Sequence, residues 1–184
     1  MGSSYHERLI KTVIDKSNSN SWDTAVYEWE IFDCIEDDYS QSSCICGKEE
    51  IKYLFTIKNT KNGNELFPIG STCIKKFDRE DLNDLSSVNE RLFQLLHAIQ
   101  DGKFIKLDAE FFSRKLLKYL YEQGVFNASK YNGYNSEIDY LFMIDMFNKK
   151  GISTEKQQNK IKAIIMTSIR PYLIEQLEHK IIKL

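Results

Sequence analysis

Residues 44–77, CICGKEEIKYLFTIKNTKNGNELFPIGSTCIKKF, place three of the chain's four cysteines around a single β-hairpin. IKYLFTI (51–57) and ELFPI (65–69) carry the β-branched and aromatic residues of strands. Asn62-Gly63 between them supplies the positive-φ pair of a tight turn. The hairpin therefore returns Cys73 to Cys44 and Cys46. At its start, Cys44-Ile45-Cys46-Gly47 sets two sulfurs one residue apart, and Gly47 permits a tight backbone whose amides can hydrogen-bond metal-bound thiolates. At its end, Gly70-Ser71-Thr72-Cys73 predicts a helix capped by Ser71 or Thr72, with Cys73 in its first turn, where the helix dipole favours a thiolate.

The fourth cysteine, Cys34, lies ten residues before Cys44 at the end of a strand predicted within WDTAVYEWEIFDC (22–34). Four thiolates at about 2.3 Å from a Zn2+ ion make a closed structural site. Such a site supplies on the order of 10 kcal/mol of coupled folding energy, enough to organise a small β-unit. The expected metal ligands are thus Cys34, Cys44, Cys46 and Cys73 around one structural zinc; buried free thiols, an iron–sulfur cluster and disulfides are the alternatives. Knuckle, hairpin and ligand-bearing helix in this order resemble a treble-clef zinc finger. Two departures stand out: the knuckle is C-x-C in place of C-x2-C, and one ligand lies on the helix in place of two.

Outward from this unit, Tyr5, Leu9, Ile10, Val13 and Ile14 predict an amphipathic helix over 4–16, followed by a turn-rich SNSNS (17–21). After Cys73 the periodicity is helical. Leu85 to Ile99 form one helix that stops near Gly102. Asp108 is expected to cap a second through Phe111, Phe112 and Leu120 to Gly124. Ser136 with Asp139, and Thr154 with Gln157, read as capping boxes of two more, and Pro171 kinks or restarts the last. The expected fold is α+β, a small treble-clef-like zinc-bound β-hairpin unit followed by a mainly α-helical lobe. The expected divisions are 1–21, 22–80 and 81–184.

A chain of 184 residues with 42% hydrophobic and 28% charged residues can bury a core without disulfide support. It holds no apolar run of membrane-spanning length and no leader pattern, so a soluble, cytoplasmic protein is expected, without membrane contact or small-molecule substrate. Net charge is −2, but residues 1–102 hold 11 Lys+Arg against 18 Asp+Glu and residues 103–184 hold 14 against 9. An acidic and a basic part with different partners is one reading, an ordinary solvated surface the other.

His6, His97 and His179 fall on separate predicted helices with no HExxH or H-x3-H spacing, and no phosphate-loop, dinucleotide or nucleophile-elbow motif occurs. An enzyme is not expected. Glu28, Glu30, Glu36, Asp37 and Asp38, with Trp29 and Tyr39 among them, read either as a solvated strand edge or as an acidic, aromatic-anchored surface for a basic partner. Lys103, Lys106, Arg114, Lys115, Lys118 and the later lysines read as solvated helix faces or as a modest phosphate track.

C-x-C-G, a strand, N-x3-G and G-S-x-C-I-x-K-F over residues 22–77 resemble the zinc unit of small proteins encoded by phages and other mobile elements, and STEKQQNKIKAI (153–164) is similar to their helical tail. The resemblance carries the cysteines over and no catalytic residues. It implies a host bacterial cell and a binding role, foremost that of an anti-CRISPR that docks on a Cas9–guide RNA complex, a host defence nucleoprotein, and prevents engagement of target DNA. The alternative is a phage accessory protein that binds nucleic acid through the zinc lobe and the basic helices.

Overall fold

In the computed structural model, which describes residues 4–182, the first apolar stripe forms α1 (Ser4–Asp15) and buries Leu9 and Val13. The stretch expected to be one strand divides. Trp22–Ala25 form one helical turn, α2, Val26–Glu28 a 3-10 turn, and only then does β1 (Trp29–Asp37) begin. The hairpin follows as β2 (Tyr53–Asn59) and β3 (Glu65–Ile69). Its turn is organised less by Asn62-Gly63 than by Asn59, whose Oδ1 accepts the amides of Lys61 and Asn62 at 2.8 and 3.1 Å. Gly63 supplies the positive φ, at +76°.

After β3 come the short helix α3 (Ser71–Ile74) and the long α4 (Glu80–Gln100), which ends before Gly102 in the left-handed region. The next helix starts later than expected. Asp108 closes a turn by accepting the Glu110 amide, while α5 (Arg114–Glu122) is capped by the Ser113 hydroxyl, which accepts from the Leu116 amide at 3.1 Å. Phe111 and Phe112 therefore precede the helix. In α6 (Ser136–Asn148) the cap is Asn135 and not Ser136, because the Asn135 side chain reaches the Glu137 amide. The Thr154–Gln157 capping box opens α7 (Glu155–Ile164) as predicted. Pro171 has no N–H for the ladder, and a π-helical segment, Ile165–Ile169, separates α7 from α8 (Arg170–Leu177) at this point.

The strands form a four-stranded mixed sheet in the order β3-β2-β1-β4, where β4 (Ile181–Ile182) runs parallel to β1 and the other pairs are antiparallel. The fold is α+β, as expected, and the chain divides into two compact units. One unit runs to Asn89 and regains the chain at Lys180; the other is Glu90–His179. The first helix belongs with the sheet and not to a separate segment. Its C-terminal turn is tied there by Trp29 Nε1, which donates to Ser17 Oγ at 2.8 Å, and by the Asn62 and Asn64 side chains, which donate to the Lys16 carbonyl. Fully buried Trp29, Phe55, Leu54, Ile57 and Ile69 form the core of this unit. In the helical unit the buried residues include Phe112, Leu116, Leu117, Leu120, Phe126, Met143, Ile169 and Leu173. No helix among the described residues is long and apolar enough to cross a membrane.

Candidate metal centre

The knuckle closes on itself before it meets the hairpin. Gly47 N–H donates to the Cys44 carbonyl at 2.7 Å and Cys44 N–H to the Lys48 carbonyl at 2.8 Å, a turn that requires the φ of +90° found at Gly47. An added Cβ would meet the guanidinium of Arg8, the far end of a flexible side chain that can move aside, so the positive φ is the stronger reason for glycine. Ile45 N–H donates to the Pro68 carbonyl at 2.9 Å and so fastens the knuckle to the end of β3. There the chain turns through Gly70, the N-cap of α3, in extended conformation and without a side-chain cap from Ser71 or Thr72. Cys73, third residue of that turn, then faces the knuckle.

Three sulfurs meet as a result. Cys73 Sγ lies 3.6 Å from Cys44 Sγ and 3.4 Å from Cys46 Sγ, and all three lie within 4.8 Å of one another. Disulfide bonds are excluded at these separations, and all four cysteines are buried thiols outside any disulfide. Donors about 2.3 Å from one metal at tetrahedral corners stand about 3.8 Å apart, so the observed spacing is close to one face of a tetrahedral thiolate site. Gly70 N–H donates to Cys44 Sγ at 3.4 Å, the kind of amide that stabilises a metal-bound thiolate. The thiols are electrostatically unequal. A hydrogen bond from the Cys73 thiol pushes Cys44 down to about 5 against the effect of burial, while the same bond and burial push Cys73 up. Three thiols this close share protons poorly, and a dication in their place accommodates three negative sulfurs. The three cysteines can hold a metal ion.

Cys34, the expected fourth ligand, is not in this group. The ladder explains why. Cys34 on β1 is paired with Phe55 on β2, and Phe55 with Ile69 on β3. Two strand spacings, about 9–10 Å, therefore separate the backbone of Cys34 from that of Ile69 at the end of β3. Sequence proximity to Cys44 concealed that separation.

The expected acidic surface is also rearranged, since Glu28, Trp29, Glu36 and Asp37 are all buried. Glu28 accepts from the amides of Asn18 and Ser19, the Ser19 hydroxyl and Asn59 Nδ2 at 2.5–2.9 Å. The Ser19 and Asn59 bonds, with the two amides, hold its carboxyl down at about 2. Asp37 caps the loop after β1: its oxygens accept from the Ser42 hydroxyl and the amides of Tyr39, Gln41 and Ser42, and the Ser42 bond leads in lowering its pKa. Glu36 pairs with Lys52 at 3.1 Å. These carboxylates are internal fasteners, offering no side chain to a partner. Of the predicted surface, Glu30, Asp38 and Tyr39 are exposed.

Tyr27, which interleaves with the acidic run, is exposed, and so are Phe32 and Phe67, which the sequence reading assigns to no surface. The strand register aligns Glu30, Lys58 and Glu65 across three strands. Lys58 pairs with Glu65 at 3.1 Å and stands 5.0 Å from the centre of the Phe32 ring. This face was legible only in the alternation of EIF (30–32), which the buried acidic neighbours obscured.

In the helical unit the expected basic track is largely engaged locally. Lys160 pairs with Asp139 at 2.9 Å beside a cavity of about 640 Å³, Lys118 with Glu122 at 3.6 Å and Lys103 with Asp101 at 3.5 Å. Arg114 donates to Asn148 and Lys149 to Gln157. Comparison of the chain with protein-family models, with curated proteins and with solved structures finds no match.

Proposed function

We propose that this chain is a non-catalytic binding protein whose sheet-bearing unit is organised by one zinc ion on Cys44, Cys46 and Cys73. The observation that carries the reading is the convergence of three buried sulfurs, with Cys73 Sγ 3.6 Å from Cys44 and 3.4 Å from Cys46 across 29 and 27 positions of sequence and the Gly70 amide directed at Cys44. Zinc is the metal that this donor set fits best: soft thiolates in near-tetrahedral arrangement, in a knuckle–hairpin–helix order like that of a treble clef. The chain's own residues arrange the donors, exclude water and hold the sulfurs ready to lose their protons; the ion, when bound, draws the segments into one unit.

Binding is the role that the surface supports. Phe32 and Tyr27 are 65% and 70% exposed, large apolar rings of the kind that anchor protein interfaces. Exposed Glu30 and Tyr39 add electrostatic and aromatic contact. The partner we carry forward is the one suggested by the resemblance to phage anti-CRISPRs, a Cas9–guide RNA complex. Co-elution of the zinc-loaded chain with that complex tests it, with Phe32→Ala as the surface variant. Co-elution weakened at least tenfold by the substitution supports the reading. Absence of co-elution removes Cas9 as the partner, and salt-sensitive binding to bare DNA in its stead favours the nucleic-acid role.

A further inference from the structure

The helical unit carries an open apolar groove of its own. On one side α7 and the π-helical segment after it present Ile161 and Lys162 and, four positions later, Ile165 and Met166. On the other lies the irregular segment that leaves α4, with Phe104 and Ile105. Two hollows of about 280 and 350 Å³ lie between them, and Phe104, Ile105 and Lys162 line both, which makes them one groove. Large apolar side chains stand in water along it. Phe104, shared by the hollows, is 70% exposed, Met166 at the first 46% and Ile152 at the second 93%. Contiguous exposure of this kind marks a surface that another molecule covers.

The charge around the groove has one sign. Lys103 and Arg170 stand at the first hollow, Lys106 at the second and Lys162 at both, and among the described residues no carboxylate lines either. Asp101, which pairs with Lys103 at 3.5 Å, lies outside the lining. We propose that this groove docks an acidic amphipathic helix of a partner protein. The apolar side chains of such a helix recur every three or four residues and enter successive hollows, while its carboxylates meet the four cations. A nucleic acid fits less well. Single strands bind basic grooves by stacking successive bases on aromatic rings, and Phe104 is the one ring among the described lining residues, the other apolar ones being Ile, Leu and Met. Methionine and branched aliphatic side chains pack instead against other aliphatic side chains.

The groove lies wholly within Glu90–His179, so the inference does not depend on the metal centre. Its test is fluorescence anisotropy of the full chain with a labelled synthetic helix of Leu and Glu, Leu at the a and d positions of each heptad, against a peptide of the same composition in shuffled order. The expected result is binding of the amphipathic peptide alone, weakened about tenfold in Phe104→Ala, as truncation of an interface anchor weakens it. Lys162→Glu should weaken it too, by a factor that shrinks as salt is raised. Both side chains are exposed, and unchanged far-ultraviolet circular dichroism checks that the variants are folded. No binding of the amphipathic peptide, equal binding of the shuffled one, or an affinity indifferent to Phe104→Ala overturns the proposal. So does preference for labelled oligothymidylate or for phosphatidylserine vesicles, or self-association of the chain that Phe104→Ala abolishes, since each gives the groove a different occupant.

Discussion

The two units of this chain reach order by different means. In the unit that ends at Asn89, a short sheet is held by buried polar groups: three thiols in one cluster, Glu28 with four hydrogen-bond donors, and Asp37 with four more. In Glu90–His179, buried leucines, isoleucines and phenylalanines recur along helices closed by Ser113, Asn135 and Thr154. The first unit should depend on charge state and metal, the second on apolar volume. Both tryptophans, Trp22 and Trp29, lie in the first unit, while most of the helix after α4 lies in the second. Trp emission and far-ultraviolet circular dichroism thus report on them separately.

Metal removal should divide them most sharply. Chelation, or Cys73→Ser, is expected to shift Trp emission to that of exposed indole, with a loss on the order of 10 kcal/mol of metal-coupled folding energy, while most of the helical signal persists. Simultaneous collapse of both signals would show that the units fold as one. The reverse perturbation is Leu117→Ala in α5, which removes a fully buried side chain. Its expected cost is about 2–5 kcal/mol, read as a lower midpoint of helix unfolding with little change in Trp emission.

Gly47→Ala comes next, because it strains a backbone held at a φ of +90°. A cost of about 1–3 kcal/mol is expected for the backbone alone, seen as faster zinc release to a chromogenic chelator. A release rate equal to wild type would mean that the knuckle has another conformation.

Acid should also act first on the sheet-bearing unit. Glu28 has its pKa lowered from 4.5 to about 2, so its contribution to stability is present above pH 4.5 and lost as pH falls toward 2. Thiol protonation displaces the metal in acid as well, and does so in both chains, so the measurement is the Trp-emission midpoint in urea of the zinc-loaded wild type compared with zinc-loaded Glu28→Gln between pH 6 and pH 3. Glu28→Gln should lower that midpoint at pH 6 and flatten its pH dependence. An unchanged slope would assign the acid response to other groups, Asp37 first among them, whose pKa is lowered by Ser42.

The comparison also separates what a sequence discloses from what it conceals. The hairpin and knuckle are local, with turn residues, alternation and C-x-C-G within 34 consecutive positions, and they were legible. So was the Thr154 capping box. What the sequence conceals depends on distant pairing. Cys34 is near Cys44 in sequence, but strand register decides which sulfurs meet. Glu28 and Asp37 belong to an acidic run, yet Ser19, Asn59 and Ser42 turn them inward, and no spacing rule links residues 28 and 59. Asp108 and Ser113 are both good caps, and only the packing of Phe112 and Leu116 selects between them.

The central claim is that Cys44, Cys46 and Cys73 hold one metal ion, and metal analysis with native mass spectrometry of the purified chain tests it most directly. One zinc per chain is predicted, retained in Cys34→Ala and lost in each of Cys44→Ser, Cys46→Ser and Cys73→Ser. A folded, metal-free chain whose three thiols all react with a thiol reagent, and which takes up no zinc when it is supplied, would contradict it.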